Sequence, residues 1–115
     1  MNDLIIINDP PYGTERAYNA LRLARSLLMS GDEVRVFLMG DAVGCAVGNQ
    51  KLPDGFYKLD RMVSSIVSKG GEVGACGTCM DARALDEDRF VPGAQRSDLD
   101  TLTKWVQYAD KVITF

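Results

Sequence analysis

Apolar residues in this chain follow two patterns that alternate from one end to the other. Short runs make the first: the continuous Leu4-Ile5-Ile6-Ile7, and Val34-Arg35-Val36-Phe37-Leu38-Met39 and Lys111-Val112-Ile113-Thr114-Phe115, where polar residues stand among the apolar ones. Runs of this kind, rich in β-branched residues and bounded by turn residues, mark strands of a buried parallel sheet. Helical spacing is the second pattern. Between Thr14 and Ser30, Ala17, Ala20, Leu21, Ala24, Leu27 and Leu28 share one face, with Asn19, Arg22, Arg25 and Ser26 opposite. Phe56, Leu59, Met62, Val63, Ile66 and Val67 repeat the arrangement against Lys58, Arg61, Ser65 and Lys69. A third stripe joins Leu99, Leu102, Val106 and Ala109, with Trp105 alongside.

Turn residues divide these segments. Asn8-Asp9-Pro10-Pro11-Tyr12-Gly13 forms a stiff exit loop, and Gly31 and Gly70-Gly71 stop the first two helices. Gly40-Asp41 leaves the second strand, and a short helix is predicted from Ala42 to about Val47. Residues 48–55 are polar and read as a surface loop. Glu72-Val73-Gly74-Ala75-Cys76 is a third strand, weakened by its glycine. A turn and a short helix near Met80 to Leu85 follow, then the acidic Asp86-Glu87-Asp88. Phe90-Val91 before Pro92-Gly93 reads as a short strand or an extended loop. Ser97-Asp98-Leu99-Asp100 matches a capping box, with serine and the later carboxylate each accepting from a free backbone N–H.

Strands alternating with helices imply a parallel sheet covered on both faces, because each crossover helix packs back on the sheet it leaves. The expected class is α/β, a three-layer α/β/α sandwich with a five-stranded, mainly parallel sheet. Its strands are predicted near residues 3–8, 33–39, 72–76, 90–95 and 111–115, within one domain spanning 1–115. The carboxyl ends of such strands share one rim, where ligands usually sit. Asp9, Asp41 and Cys76 are expected near it.

Composition narrows the function classes. A chain of 115 residues with 46% hydrophobic and 25% charged positions builds one ordinary core and has no room for a second, substrate-binding domain. Thirteen basic residues scattered among sixteen acidic ones give a net charge of -3, which disfavours a nucleic-acid partner. Met1-Asn2-Asp3 before four apolar residues lacks the basic region of a signal peptide, and no apolar run reaches membrane-spanning length. A cytoplasmic protein without a membrane partner is expected. Three cysteines, an odd number, are poor material for a disulfide scaffold in that setting. Histidine is absent, which removes Ser-His-Asp and Cys-His catalysis and the commonest zinc ligand together.

Sulfur is what remains. Cys76 closes a predicted strand and Cys79 lies at the start of a predicted helix, so backbone N–H groups and the helix dipole favour a thiolate there. Burial as small hydrophobes is the plain alternative for the pair. A zinc site would need two further soft ligands where only Cys45 remains, so no metal and no cofactor is expected. Gly40, Gly44 and Gly48 match neither the dinucleotide fingerprint nor the P-loop and read as close packing around a buried Cys45. Asp9 and Asp41 are candidates for the rim site or simple caps of turns and helices. Arg83 either stabilises an anionic sulfur or pairs with Asp86 or Glu87. Tyr12 lines the rim or covers the core edge.

The whole pattern resembles the DsrE/DsrF-like family of small sulfur-relay proteins. The resemblance is carried by the opening strand and its loop into a long helix, by Phe37-Leu38-Met39-Gly40-Asp41-Ala42-Val43, by Val73 to Arg83 with its Cys76-Gly77-Thr78-Cys79, and by the ending Ala109 to Phe115. It implies a five-stranded parallel sheet between helical layers, assembly into trimers or hexamers, and sulfur carried as a cysteine persulfide between donor and acceptor proteins. The family's sulfur-accepting cysteine matches Cys76, and Cys79 is an additional thiol that many members lack. Attack by an ionised thiol on a donor persulfide needs no imidazole base. Two other classes share the same residues: a dithiol redox protein cycling Cys76 and Cys79, and a noncatalytic oligomer that uses the rim only for docking.

Overall fold

A computed structural model describes residues 1–115. The chain runs β1 (Asn2–Ile7), α1 (Arg16–Met29), β2 (Glu33–Leu38), a 3-10 segment (Gly40–Ala46), α2 (Leu59–Ser68), β3 (Glu72–Cys76), α3 (Gly77–Asp81), a 3-10 turn (Glu87–Arg89), β4 (Ala94–Ser97), α4 (Leu99–Tyr108) and β5 (Lys111–Thr114). All five strands join one parallel sheet in the order β4-β3-β2-β1-β5. The α/β class, the strand number and the parallel sheet between helices are as the periodicity predicts. No helix is long and apolar enough to cross a membrane.

Side chains alternate across the sheet, and the two faces are covered unequally. Ile5, Ile7, Val36, Leu38, Val73 and Ala75 meet α1 and α2 in the large core. Small residues Ala17, Ala20 and Ala24 let α1 lie close against the strands. Each fully buried Ile, Val or Leu contributes about 1.5–3 kcal/mol by leaving water. On the other face, Leu4 and Phe37 meet Leu102 of α4, with Trp105 and Ala109 packed beside them. Gly74 leaves room for this packing: a Cβ would stand 3.2 Å from the Trp105 ring and 3.1 Å from Ser97, tight enough to press on both.

Several local expectations are corrected. The fourth strand, expected at 90–95, lies at Ala94–Ser97. Phe90 pairs instead with Val47 in an isolated antiparallel bridge, and Gly93, at φ +91, turns the chain into the sheet only afterwards. Asp98 rather than Ser97 caps α4, accepting from Thr101 N–H at 2.8 Å, so a single aspartate cap replaces the expected capping box. The third helix starts at Gly77, ahead of the predicted Met80. Phe56, expected on the buried stripe of the second helix, precedes α2 and is 65% exposed. Leu99 and Val106, 70% and 43% exposed, stand on the flank of α4, because only Leu102, Trp105 and Ala109 point at the sheet. The expected helix after Asp41 is a 3-10 segment whose Cys45 is fully buried, as the glycine spacing implies.

One buried charge stands apart from the rim, near the start of β1. Asp3 is 2% exposed and neither carboxyl oxygen receives a hydrogen bond from a donor. Burial, then the neighbouring Asp32 carboxylate, push its carboxyl above the usual range, with Lys111 opposing. A carboxyl raised on folding contributes stability at low pH that is lost as pH rises through the folded value. Asp3→Asn is therefore expected to raise the melting temperature at neutral pH and to give no gain in acid below the ordinary aspartate range. Thermal melts across pH check this, and an equal or lower neutral melting point for the variant would refute it.

Candidate functional site

β3 passes into α3 with no intervening loop residue, so Cys76 is both the end of a strand and the cap of a helix. Its sulfur takes the acceptor role that Ser or Asp commonly plays at that position. Cys79 N–H donates to Cys76 Sγ at 3.4 Å, and the Thr78 hydroxyl lies 3.3 Å from the same sulfur. The Cys79 thiol donates to Cys76 Sγ at 2.7 Å. Gly40 N–H, at the start of the 3-10 segment after β2, in turn donates to Cys79 Sγ at 3.2 Å. All three cysteines are free thiols.

This chain of donors splits the two thiols. Burial pushes Cys76 up, but hydrogen bonds from the Cys79 thiol, from Thr78 and from the backbone N–H groups outweigh it and leave Cys76 below an ordinary thiol. Burial and the hydrogen bond to Cys76 push Cys79 up, against the Gly40 N–H and the Arg83 charge. The pair thus favours a thiolate on Cys76 and a thiol on Cys79. Cys45, deep in the core, is pushed up to about 12 by burial.

Cys76 opens into a cleft of about 710 Å³ between the sheet rim and the start of α4. Phe37, Met39 and Leu99 supply apolar walls, and Arg96 and Asp98 supply polar ones. That size accommodates a small molecule or the tip of a protein segment. Arg96 reaches the site from β4, forking onto Asp81 with Nη1–Oδ1 at 2.7 Å and Nη2–Oδ2 at 2.9 Å. Its guanidinium lies on Gly77, where an added Cβ would meet Nε at 2.8 Å and Nη2 at 2.9 Å. Asp81 first, and Cys76 to a smaller degree, hold the Arg96 cation.

The predicted site residues divide into two groups. Arg83 gathers Asp41 and Cys79, its Nε and Nη2 on Asp41 Oδ1 at 2.9 and 2.8 Å and its Nη1 on the Cys79 carbonyl at 3.0 Å. Arg83 thus bonds to Asp41 rather than to the alternatives Asp86 and Glu87. Asp9 instead accepts from Thr14 at 2.7 Å and pairs with Arg16 at 3.4 Å at the entry to α1. The Tyr12 hydroxyl accepts from Leu59 N–H at 3.0 Å and donates to Gln50, anchoring the start of α2. Neither bonding network includes a hydrogen bond to Cys76 or Cys79. Arg96 and Thr78 are not read as site residues in the sequence, and Gly40 is read there only as a turn and packing residue. A hydroxyl between the two cysteines is the one available signal; Arg96 reaches the site only through strand pairing. No cluster of three or more Cys, Asp or Glu side chains is placed to hold a metal ion.

Gly77→Ala tests the Arg96 contact. The new methyl displaces the guanidinium and takes a cation from beside Cys76, which raises the thiol and slows its reaction. Limiting iodoacetamide at neutral pH is expected to modify Cys76 first in the native chain, several-fold more slowly in Gly77→Ala, and to leave Cys45 untouched. Peptide mapping reads all three sites; early labelling of Cys45 would contradict the burial assignment.

Comparison with known proteins agrees with this architecture. A family model described as the DsrE/DsrF-like family matches residues 1–115. The chain is 39% identical over 111 residues to the uncharacterized protein MK0008 of Methanopyrus kandleri, covering 96% of this chain and 91% of that one. It is 36% identical over 114 residues to protein YchN of Escherichia coli K12, covering 97% of each. The crystal structure of the Escherichia coli ychN protein superposes with a TM-score of 0.92 over 100% of both chains at 36% identity. With the match extending over the whole chain and the fold shared, this protein belongs to the DsrE/DsrF-like family, a family associated with sulfur relay.

Proposed function

We propose that this chain is a sulfur carrier in which Cys76 accepts a sulfane sulfur and holds it as a persulfide for an acceptor thiol. The observation that supports it is the Cys76 sulfur at the strand end, facing a cleft and receiving the Cys79 thiol at 2.7 Å and the Cys79 N–H at 3.4 Å. These donors favour the thiolate, the nucleophilic form, without any histidine. In the loading step the Cys76 thiolate attacks the outer sulfur of a donor R–S–SH. The bond from Cys76 Sγ to that sulfur forms, the R–S bond to it breaks, and the donor leaves as R–S⁻. Delivery is the same exchange run onto an acceptor thiolate, which needs neither metal nor cofactor.

Donor and acceptor are read as proteins whose reactive thiols enter the cleft. The three free thiols suit a reducing, cytoplasmic setting. A closed trimer or a hexamer of two trimers is part of the same reading, supported by the exposed Leu99, Val106, Tyr108 and Val112 on α4 and β5. Sedimentation finding only monomer at micromolar concentration removes the oligomer. Intact-protein mass measurement of the Cys79→Ser chain, in which Cys76 has no neighbouring thiol, after incubation with a persulfide donor tests the carrier: the chain is expected to gain mass in units of sulfur.

A second reading, a dithiol redox protein, draws on the same 2.7 Å approach of the two sulfurs. It predicts a mass lower by two hydrogens after contact with a disulfide oxidant, a defined reduction potential and no sulfur gain from a donor.

A further inference from the structure

Loading forms a bond to Cys76 alone, yet the structure places a second thiol, itself a possible nucleophile, against it. Cys79 Sγ lies 2.7 Å from Cys76 Sγ, inside van der Waals contact, and Gly40 N–H donates to it at 3.2 Å. Arg83 braces the same turn through the Cys79 carbonyl at 3.0 Å. A delivery step to an outside acceptor makes no use of that placement.

We propose that Cys79 discharges Cys76: when no acceptor enters the cleft, Cys79 attacks the loaded Cys76 Sγ, expels the outer sulfur as sulfide and closes a Cys76–Cys79 disulfide. The step rests on Cys76 as the loaded residue. It balances as the Cys76 persulfide plus the Cys79 thiol giving the Cys76–Cys79 disulfide plus one molecule of hydrogen sulfide. The new bond joins the two Sγ atoms, and the bond from Cys76 Sγ to the outer sulfur breaks. Two electrons pass from the cysteine pair to the sulfane sulfur, and the Cys79 proton leaves with the sulfide. A dithiol reductant then returns the disulfide to two thiols.

Loading itself arms the step. In the resting pair burial, and after it the negative Cys76 sulfur that holds the Cys79 proton, push the Cys79 thiol up. Bonding a second sulfur to Cys76 Sγ removes the charge from that atom and with it the best acceptor for the Cys79 proton. Gly40 N–H and Arg83, which favour a Cys79 thiolate, remain in place. The attacked atom is the inner sulfur because it is the one already in contact. The outer sulfur stands one S–S bond, about 2.05 Å, further out. Proximity makes the step intramolecular, with a high effective concentration of the attacking thiol. In the absence of an acceptor, the chain therefore acts as a sulfane-sulfur reductase that oxidises its own two thiols.

The test uses the full-length, fully reduced chain, loaded with inorganic polysulfide, desalted without oxygen and followed by sulfide trapping and intact mass. Wild type is expected to release one sulfide per loaded chain and to end two hydrogens lighter than the reduced form. Cys79→Ser, and Cys79→Ala as a second variant checked for folding by circular dichroism, are expected to load and to release sulfide at least about tenfold more slowly. Release from both variants at the wild-type rate would overturn the discharge and leave the carrier intact. Sulfur retained by wild type on Cys79 would also overturn it, by assigning attack to the outer sulfur. Failure of both folded variants to load would overturn the carrier reading along with it.

Discussion

Cys76→Ser is expected to abolish sulfur uptake, with the mass of the chain unchanged after incubation with a persulfide donor, while Cys79→Ser still gains sulfur. The two thiols touch, but their surroundings are opposite. Cys76 receives donors from Cys79, Thr78 and the backbone, which favour its thiolate. Cys79 directs its proton to Cys76 and is pushed up by burial and by that contact. Serine at 76 keeps the cap of α3, since a hydroxyl oxygen accepts from the N–H of Cys79 as readily as sulfur does, so the loss is chemical rather than structural. A hydroxyl at 76 also has no accessible anion near neutral pH and does not attack sulfur. Uptake by Cys76→Ser with none by Cys79→Ser would reverse the assignment. Normal uptake by both would transfer the chemistry to Cys45 or away from cysteine, and the buried Cys45 makes a poor nucleophile.

Phe37→Ala is expected to lower folding stability by about 3–5 kcal/mol, the range for truncating a fully buried aromatic. Phe37 is 1% exposed and is the largest buried side chain under α4. It meets the Trp105 ring edge-on, with centroids 6.0 Å apart and planes at 87°. That face has only Leu4, Phe37 and Leu102 as its buried cluster, against the extensive core under α1 and α2, so neighbouring side chains cannot close the space. Phe37 also walls the cleft beside Cys76, so the variant is expected to admit alkylating reagents to Cys76 more readily while folded. Urea denaturation followed by Trp105 fluorescence measures the first effect. A loss below about 1 kcal/mol would mean that α4 does not rest on this ring.

The two expected effects meet in one architectural feature. α4 is the single helix on its face of the sheet, and its first turn, through Leu99 and the cap Asp98, forms one wall of the cleft. Anything that loosens α4 on Phe37 therefore alters the surroundings of Cys76, whereas changes under α1 and α2 reach the site only through the strands.

The alternation of apolar runs and helical stripes determined the parallel α/β sheet, because a strand buried on both faces has to be apolar throughout and a crossover helix has to present one apolar side. Cys76 at the end of the third strand, with Cys79 in the following turn, was legible for the same reason: strand ends are local, and the rim of a parallel sheet follows from topology. A buried Cys45 followed from the small residues around it. What the tertiary structure decided were the contacts between residues distant in the chain. Tyr12 and Gln50, through Leu59 and Asp60 N–H, set where α2 begins, which left Phe56 outside the helix. Helical spacing marked Leu99 and Val106 as apolar, but only docking on Leu4 and Phe37 selected Leu102, Trp105 and Ala109 as the buried face of α4. The turn at Pro92-Gly93 moved β4 along the chain, and its pairing with β3 then brought Arg96 over Gly77 and onto Asp81. Periodicity records how often a side chain is buried; it carries no information on which distant donor or charge will face it, and those partners separate the two thiols of this site.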